Sequence, residues 1–414
     1  MNWWENSFLA VENNRLKISG RDAPDLAEEF GTPLFIYSRS QVLANLRKLE
    51  KAFCVGSGRE LRVCYAMKAN YNKELLELLC GEGAWIDAVS PGEVERAVAA
   101  GFSTEKIIYT GTSVSRDDLR LLFRTPGIIL NIDAEEQLDL MIRLKDSMPG
   151  FPLPRVSVRW NPGLGRGFSP KTVTAGARAS DGTPIKFGVE ESRVEPVLQK
   201  AMKAGFTPVG LHQHLGSGWI KKDFGFVTEA VDRMISLAAR LQDKGFALEF
   251  LDFGGGFGPV YHEGQSPFPL EEYAGHILSR MDDHQISCPA VAVEPGKFLI
   301  GDAGILLLQV EYIKSSHGNR FICVNGGTFN TVPRPAIYTQ AHHTLVHTGK
   351  VRDGAEEIFT VAGNLCETGD VFAKEIALPR PEQGDLLALL VAGAYCRSMA
   401  SHFNCRPIPR EILL

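Results

Sequence analysis

The sequence has no long apolar stretch and no dense run of basic residues. No segment approaches the ~20 apolar residues that a membrane-spanning helix needs, so we expect no membrane partner. The net charge is −5 and the Lys and Arg residues are scattered, which argues against a nucleic-acid partner. The first ten residues lack the basic and apolar regions of a secretory signal peptide. We therefore expect a cytoplasmic protein.

Closely spaced cysteine pairs are also absent. The eight cysteines include no Cys-x-x-Cys pair and no spacing typical of a zinc site. In a long cytoplasmic chain such cysteines are expected to be reduced thiols. The sequence therefore predicts neither a disulfide-stabilised fold nor a structural zinc centre.

Between residues 60 and 295, short apolar segments alternate with longer segments of helical period. The short segments are rich in Val and Ile and apolar at nearly every position, as strands buried on both faces of a parallel sheet are. Ser90–Glu93 and Ser115–Asp118 have the capping pattern that begins a helix. Eight such strands, each followed by a helix or loop, predict a closed (β/α)8 barrel. The predicted strands are 61–67, 85–89, 107–109, 128–132, 156–160, 209–214, 248–253 and 291–293.

After residue 295 the pattern changes to strands without helices long enough to alternate with them. Strands are predicted at 310–313, 321–324, 357–362 and 385–391, and a strand at 16–18 is expected to join them. The predicted fold class is α/β, a (β/α)8 TIM barrel plus a C-terminal antiparallel β domain. The barrel domain is predicted over residues 33–295, and residues 1–32 and 296–414 are predicted to form a β-sandwich or barrel-like domain.

Polar and glycine residues follow the predicted barrel strands, at the end where barrel enzymes hold their active sites. Lys68 ends the first strand, where a charged lysine is costly, so its amine is expected to be nucleophilic and suited to a Schiff base with an aldehyde cofactor. Glycines 254 to 256 follow the seventh strand and expose backbone N–H groups to a phosphate. Glu294 ends the eighth strand and is placed to pair with a pyridine nitrogen. Together these features meet the needs of a phosphorylated aldehyde. The Gly-rich segment 163–188 is expected to be a mobile loop near the same end.

His212 and His214 lie two residues apart and would face the same side of a strand. This spacing allows a metal site, and with it a metal-dependent hydrolase, but no nearby Asp, Glu or Cys completes a ligand set. Stacking of His214 on an aromatic cofactor, with Ser217 on its phosphate, agrees better with the other motifs. We therefore expect no metal.

The chain resembles the fold-type III pyridoxal-phosphate-dependent decarboxylases, which have an alanine racemase-like barrel, and most of all their branch that acts on diaminopimelate. The resemblance spans nearly the whole chain and rests on many motifs in the family's order. These motifs lie at residues 65–70, 90–93, 214–217, 254–256, 294–296, 334–338, 366–370, 393–395 and 398–404.

The resemblance implies pyridoxal 5'-phosphate as cofactor, an amino-acid substrate, and a homodimer with shared active sites. In the branch named above, meso-2,6-diaminopimelate is converted to L-lysine and CO2. Lys68 would hold the cofactor, His214 would lie against its ring and Glu294 would pair with the ring nitrogen. Cys366, reaching in from the partner subunit, would be the proton donor. The phosphate is implied to bind Ser217, Gly254, Gly255, Gly256, Gly296, Lys297 and Tyr395, and the distal end of the substrate to bind Lys297, Arg334, Tyr338, Glu367 and Tyr395.

Three positions depart from the family's usual pattern. Lys297 stands where arginine is usual, and a compact ammonium does not reproduce the planar fork that arginine offers a carboxylate. Asn325 stands where aspartate is usual, and Asn364 where proline is common. These departures keep open a second hypothesis, a decarboxylase of the same family for another amino acid or for a siderophore or antibiotic intermediate.

Two further hypotheses are less favoured. An amino-acid racemase has a similar barrel, but Cys366-Glu367 and the C-terminal motifs favour decarboxylation. A catalytically silent homologue that regulates a partner would not need Lys68, Glu294 and Cys366 together, and all three are retained.

Overall fold

The computed structural model describes residues 2–53, 58–355 and 357–414. The chain forms two compact units. Unit one comprises Met1–Leu46, Pro259–Ser266 and Lys297–Leu414, and unit two comprises Arg47–Gly258 and Pro267–Gly296. The domain limit drawn from the sequence between residues 32 and 33 falls inside unit one, because the next strand pairs within the large β sheet of that unit. Cys54 lies outside the described residues, and the other cysteines are free thiols.

The described residues form strands and helices whose limits are as follows. The strands are β1 (Leu9–Glu12), β2 (Arg15–Ile18), β3 (Arg21–Asp22), β4 (Leu34–Tyr37), β5 (Glu60–Ala66), β6 (Trp85–Ala88), β7 (Ile107–Tyr109), β8 (Ile129–Ile132), β9 (Arg155–Asn161), β10 (Val189–Glu190), β11 (Thr207–His212), β12 (Phe250–Asp252), β13 (Ala290–Val293), β14 (Gly304–Ser316), β15 (Asn319–Val324), β16 (Leu345–His347), β17 (Glu357–Ala362), β18 (Val371–Leu378), β19 (Leu386–Leu389) and β20 (Arg410–Leu413). The helices are α1 (Ala23–Phe30), α2 (Arg39–Phe53), α3 (Lys73–Gly81), α4 (Pro91–Ala99), α5 (Arg116–Phe123), α6 (Glu135–Ser147), α7 (Glu191–Lys203), α8 (Phe224–Asp243), α9 (Leu270–Asp283), α10 (Lys297–Ile300) and α11 (Arg334–Ile337). Within the described ranges, no helix combines the length and the apolar character that crossing a membrane requires.

Unit two contains the predicted barrel. Eight parallel strands pair in the order β9-β11-β12-β13-β5-β6-β7-β8, and pairing of β8 with β9 closes the ring. The short strand β10 pairs with β9 outside the ring. All eight predicted strands form, with limits that differ from the predicted ones by at most two residues. Segments that are apolar on both faces are stable as strands covered on both sides. The prediction of a closed (β/α)8 barrel is confirmed.

Two predicted helix starts are also confirmed. Ser90 caps α4, and its side-chain oxygen accepts the N–H of Glu93 at 3.3 Å. Ser115 and Asp118 form a reciprocal capping box at the start of α5. The carboxylate of Glu93 accepts the N–H of Val89 at 2.7 Å. Helix α4 therefore begins at the carboxyl end of β6, and Glu93 turns back towards that strand end.

The β structure of unit one is mostly antiparallel, as predicted. Its main sheet has the order β16-β19-β14-β15-β17-β18, and β4 pairs with both β14 and β20. Two pairings, β15 with β17 and β4 with β20, are parallel. The predicted strand at 16–18 forms as β2 but pairs with β1 and β3 in a separate three-stranded sheet. Its Leu16 and Ile18 still pack in one apolar core with Leu34 and Ile305. Strand β2 thus contributes to the core of unit one without pairing with the main sheet, since burial of apolar side chains does not require strand pairing.

Candidate active site

Five neighbouring strands of the barrel carry polar residues to one end. The strands β11, β12, β13, β5 and β6 are adjacent in this order. Because they are parallel, their carboxyl ends meet at the same edge of the barrel. The residues at this edge are His212 in β11, Asp252 in β12, Glu294 after β13, Lys68 after β5 and Asp87 in β6.

Lys68 contacts a buried carboxylate. Its Nζ lies 2.7 Å from Oδ2 of Asp87, and the side chain of Lys68 is 33% exposed whereas that of Asp87 is fully buried. Burial raises the pKa of Asp87, the charge of Glu294 raises it further, and Lys68 opposes both. We expected a charged lysine to be costly at this position, and the structure places a carboxylate there that stabilises its ammonium form. A Cβ on Gly296 would lie 3.0 Å from that of Ala69, so Gly296 packs against the turn that carries Lys68.

Glu294 lies between two histidines. Its Oε1 is 3.1 Å from Nε2 of His212, and its Oε2 is 3.8 Å from Nδ1 of His214. Burial favours a higher pKa for Glu294, but the charge and close approach of His212, with smaller contributions from Lys68 and His214, lower it to about 2. Burial lowers the pKa of His214 to about 3. The N–H of Gly255 donates to Nδ1 of His214 at 3.2 Å, which leaves the proton of the neutral ring on Nε2. The site therefore presents a carboxylate beside a neutral imidazole.

Asp252 completes a cluster that resembles a set of metal ligands. His212, Asp252 and Glu294 place three potential ligand atoms within 4.8 Å of one another. The prediction that no carboxylate lies near the histidines is therefore wrong, because β12 and β13 bring two carboxylates beside β11. Burial raises the pKa of Asp252 well above its usual value, and its Oδ1 accepts the N–H of Gly254 at 2.9 Å. Glu294 contacts His212, but both ring nitrogens of His212 and Oδ2 of Asp252 lack aligned hydrogen-bond partners within the described residues.

The glycine run passes between the end of β13 and the loop after β11, where side chains do not fit. A Cβ on Gly255 would lie 2.1 Å from the carbonyl oxygen of Glu294, and one on Gly256 would lie 2.4 Å from the ring of Trp219. The N–H of Gly218 donates to the carbonyl oxygen of Gly256 at 2.7 Å. The structure thus brings together four residues predicted to bind phosphate: Ser217, Gly254, Gly255 and Gly256.

Segment 163–188 is hydrogen-bonded to the segment that carries His214. The N–H groups of Arg166 and Thr174 donate to the carbonyl oxygen of Leu215 at 3.0 and 3.2 Å. The hydroxyl of Thr174 donates to the carbonyl oxygen of His214 at 2.9 Å. The segment that we expected to be a mobile loop therefore supports the backbone around His214.

In unit one, two buried cations and a partly buried tyrosine ring lie close together. Lys297 is 6% exposed, and its Nζ lies 5.5 Å from the ring centroid of Tyr395. Burial, followed by the charge of Arg334, lowers the pKa of Lys297 well below its usual value. Arg334 contacts Tyr261 and His343 through Nη1. The structure therefore brings together Lys297, Arg334 and Tyr395, which the sequence predicted to bind anionic groups.

The remaining predicted residues of unit one are more exposed. Tyr338 is partly buried, and its N–H donates to the carbonyl oxygen of Arg334 at 2.7 Å. Cys366 and Glu367 are exposed, and the N–H of Cys366 donates to Oδ1 of Asn404 at 2.8 Å. The structure thus places Tyr338 next to Arg334 and leaves Cys366 and Glu367 on the surface of unit one.

Two of the three departures from the family's pattern contact each other. Nδ2 of Asn364 donates to the carbonyl oxygen of Asn325 at 2.7 Å. The side chain of Asn325 in turn donates to the hydroxyl of Thr32 at 2.8 Å and accepts the N–H of Gln309 at 3.0 Å. Asn325 and Asn364 therefore join segments of unit one to each other, which is a structural role.

Sequence reasoning missed four residues of these clusters. Asp87 and Asp252 are charged residues in otherwise apolar strands, and a buried charge is costly unless it is paired, so this pattern could have identified them. Tyr261 and His343 lie in irregular segments and offer no comparable signal. Only their contacts with Arg334 reveal them.

Comparison with known proteins identifies the family. A family model described as "Pyridoxal-dependent decarboxylase, pyridoxal binding domain" matches residues 39–301. The chain belongs to the pyridoxal-dependent decarboxylases. A curated relative, diaminopimelate decarboxylase of Methanothermobacter thermautotrophicus, is 39% identical over 97% of this chain and 91% of its own length. The enzyme of that name from Aquifex aeolicus is 32% identical over 99% of this chain and 93% of its own length.

Solved structures give the same result. Diaminopimelate decarboxylase from M. jannaschii, in complex with L-lysine, has a TM-score of 0.88 at 29% identity and covers 99% of this chain and 93% of its own. The enzyme from Helicobacter pylori, also complexed with L-lysine, has a TM-score of 0.86 at 30% identity, with 95% and 94% covered. The predicted family and fold are confirmed.

The barrel of this decarboxylase fits pyridoxal phosphate, the cofactor that its family implies. Lys68 offers an amine for the aldehyde, and the glycine run carries no side chain that would keep a phosphate away from its backbone. Oε1 of Glu294 is buried and has no aligned hydrogen-bond donor within the described residues. A buried carboxylate oxygen in this situation gains a hydrogen bond when a protonated ring nitrogen faces it.

Proposed function

We propose that this protein decarboxylates meso-2,6-diaminopimelate to L-lysine and CO2 with pyridoxal 5'-phosphate as its cofactor. The observation that carries the proposal is the placement of Lys68 and Glu294 after adjacent strands, β5 and β13, at one end of the barrel. An amine for the cofactor aldehyde and a buried carboxylate for its ring nitrogen are the groups this chemistry needs. The substrate is inferred from the relatives named diaminopimelate decarboxylase and from the solved relatives complexed with L-lysine, the product of the proposed reaction.

The residues of unit two hold the cofactor. Lys68 would hold the cofactor through its aldehyde carbon, and Asp87 would hold the Lys68 amine as an ammonium whenever it is not attached to the cofactor. Glu294 keeps a proton on the ring nitrogen, since a carboxyl with a pKa of about 2 stays ionised beside it. His214 would lie against the face of the cofactor ring. When bound, the cofactor supplies the electron sink for the carbanion that remains when CO2 leaves. The phosphate is bound by Ser217, Gly254, Gly255, Gly256 and Gly296.

The residues of unit one hold the substrate and the proton. Arg334, Tyr338 and Glu367 bind the end of the substrate that is remote from the reacting carbon. Lys297, with Tyr395, binds phosphate or a substrate carboxylate, because two buried cations close to each other favour an anion between them. Cys366 donates the proton that replaces CO2 on the reacting carbon.

The working assembly is proposed to be a homodimer. Cys366 is exposed on the surface of unit one, as a thiol that serves a second subunit has to be. Each active site would then take Lys68 from one subunit and Cys366 from the other. A cytoplasmic location stays a prediction.

One observation favours a second candidate. Lys297 replaces the arginine that is usual in the family, and its ammonium binds a carboxylate without the bidentate geometry of a guanidinium. A decarboxylase of the same family for another amino acid, or for a siderophore or antibiotic intermediate, would accommodate this change.

The test is formation of L-lysine from meso-diaminopimelate by purified protein reconstituted with pyridoxal phosphate, with Lys68→Ala as the control variant. We expect lysine from the unmodified protein and none from the variant, which would also show that Lys297 can replace arginine. A folded yellow holoenzyme that forms no lysine would overturn the diaminopimelate assignment. Assay of CO2 release from other amino acids would then test the second candidate.

A further inference from the structure

The guanidinium of Arg334 is held by two buried or partly buried side chains of unit one. Its Nη1 donates to Nε2 of His343 at 3.0 Å and to the hydroxyl oxygen of Tyr261 at 3.2 Å. Arg334 lies 5.0 Å above the centroid of the Tyr261 ring, which meets the His343 ring edge to face at 5.7 Å. Arg334 is 2% exposed and His343 is 4% exposed. Both hydrogens of Nη1 therefore have acceptors within a packed cluster.

A backbone carbonyl determines which ring nitrogen of His343 carries the proton. Nδ1 lies 3.0 Å from the carbonyl oxygen of Leu390, which can only accept, so Nδ1 bears the hydrogen and Nε2 offers its lone pair to Arg334. The N–H of Leu390 donates to the carbonyl oxygen of Thr344 at 2.9 Å and fixes the same segment a second time. Burial, followed by the charge of Arg334, lowers the pKa of His343 well below 6.5. The imidazole therefore stays neutral and keeps its acceptor.

A neutral acceptor has a specific advantage over a carboxylate at this position. A carboxylate would orient the guanidinium but would also neutralise its charge. An imidazole lone pair orients the same group and leaves its positive charge available to an anionic ligand. This is the arrangement expected where an arginine must be rigid and still bind a carboxylate.

We propose that His343 is a positioning residue that orients Arg334 towards the remote carboxylate of the substrate, and that it thereby sets the selectivity for ligands that carry this carboxylate. The inference rests on the proposed function, in which Arg334 binds that end of the substrate. Tyr261 assists by occupying the second hydrogen of Nη1.

Two ligands isolate the contribution of the remote carboxylate. Decarboxylation of one end of diaminopimelate leaves the carboxylate of the other end on the product, L-lysine. The diamine 1,5-diaminopentane has the same carbon chain and both amines but lacks that carboxylate. The ratio of their dissociation constants for the holoenzyme, measured by titration calorimetry, therefore reports on the group that Arg334 is proposed to bind.

Two variants of His343 separate its two hydrogen bonds. In His343→Asn the amide reaches the position of Nδ1 and retains a donor for Leu390, but no acceptor reaches Arg334. In His343→Gln the longer side chain places an amide oxygen near the position of Nε2 and retains the acceptor for Arg334. His342→Asn is the matched control, because His342 is the adjacent histidine and is exposed.

We expect His343→Asn to weaken binding of L-lysine and to raise KM for diaminopimelate by ~10-fold or more, the size expected for loss of a hydrogen bond to a charged group. Binding of 1,5-diaminopentane and kcat should change by less than ~2-fold, because neither depends on the remote carboxylate. His343→Gln and His342→Asn should bind both ligands nearly as the unmodified protein does.

Two results would overturn the inference. One is unchanged binding of both ligands by His343→Asn, and the other is equal weakening of the binding of both ligands, which indicates a structural role alone. Arg334→Gln distinguishes this failure from failure of the proposed function. If Arg334→Gln abolishes the preference for L-lysine and His343→Asn does not, only the role of His343 is wrong. If Arg334→Gln also leaves the preference intact, the role of Arg334 in the proposed function is wrong as well.

Discussion

Nζ of Lys68 lies 2.7 Å from Oδ2 of Asp87. The proposed cofactor lysine and a fully buried carboxylate therefore form an ion pair at the ends of the adjacent strands β5 and β6. In the proposed reaction, Lys68 would be detached from the cofactor during part of every turnover. When Lys68 is not attached to the cofactor, Asp87 would help to hold its ammonium in place. Asp87 therefore has a role in turnover even though it is not proposed to contact the substrate.

We expect Asp87→Asn to lower kcat by ~10-fold or more, because an amide still accepts a hydrogen bond from Lys68 but no longer holds an ammonium by charge. The measurement is the steady-state rate of L-lysine formation by holoenzyme. Asp117→Asn is the control, since the side chain of Asp117 is 86% exposed on α5. Equal kcat values for the Asp87 variant and the unmodified protein would contradict the role.

We expect ionisation of Glu93 to make the free energy of unfolding depend on pH. Burial raises the pKa of Glu93 from 4.5 to about 7, against the opposing effect of the Val89 N–H. Between pH 4.5 and pH 7, the Glu93 carboxyl therefore binds more protons in the folded protein than in the unfolded chain. The contribution of Glu93 to the free energy of unfolding is fully present below pH 4.5 and is lost as the pH rises through 7.

We expect Glu93→Gln to remove this loss, because the amide retains an acceptor for Val89 and does not ionise. Relative to the unmodified protein, the variant should gain about 1–2 kcal/mol between pH 5 and pH 8, after allowance for solvent screening. Urea unfolding of the apoprotein at both pH values measures this gain. Glu95→Gln, at an exposed position of the same helix, should show none. The assignment fails if the two variants have the same pH dependence.

Gly255 should not tolerate a side chain. A Cβ there would lie 2.1 Å from the carbonyl oxygen of Glu294, whereas a Cβ on Gly275 in α9 would meet no atom within 4 Å. We expect Gly255→Ala to lower the free energy of unfolding by about 2 kcal/mol or more, and Gly275→Ala to leave it unchanged or raise it slightly. Urea unfolding measures both, and the cofactor absorbance of Gly255→Ala should fall. Similar stabilities for the two variants would show that the glycine run can move away from Glu294.

A shared active site predicts complementation between two inactive variants. Lys68→Ala lacks the cofactor lysine, and Cys366→Ala lacks the proposed proton donor. If each site takes one of these residues from each subunit, a hybrid dimer has one intact site and one site with both defects. Mixing equal amounts after dissociation should restore about a quarter of the unmodified activity, because half of the dimers are hybrid. No recovery in confirmed hybrids would place both residues of a site in one subunit.

The sequence was sufficient to locate most elements of the barrel. Its strands are short, apolar on both faces and bounded by caps such as Ser90 and Ser115, and these are local signals. The large sheet of unit one was less predictable. Strand β4 pairs with β14 and β20, which lie far away in the chain, and no local pattern encodes such a partner.

Some residues of the candidate site could be located from the sequence, whereas the contacts between them could not. Lys68, Glu294 and the glycine run follow apolar strands, so their place at the mouth of a barrel could be read from their positions in the chain. The proximity of Asp252 and Glu294 to His212 could not be predicted from their positions in the chain. We expected no carboxylate near the histidines because none lies close to them in the sequence, and this prediction was wrong. In a closed barrel, residues far apart in the chain become neighbours through strand order.

Local residue patterns thus determined the strands and helices of this protein and the chemical groups that the ends of the barrel strands carry, because apolar periodicity and capping act over a few residues. Tertiary structure alone decided which groups became partners. Pairing of β5 with β6 placed Asp87 against Lys68, and packing within unit one placed His343 against Arg334. Such contacts depend on distances that only the folded chain defines, and the charge and proton position of each buried group depend in turn on those contacts.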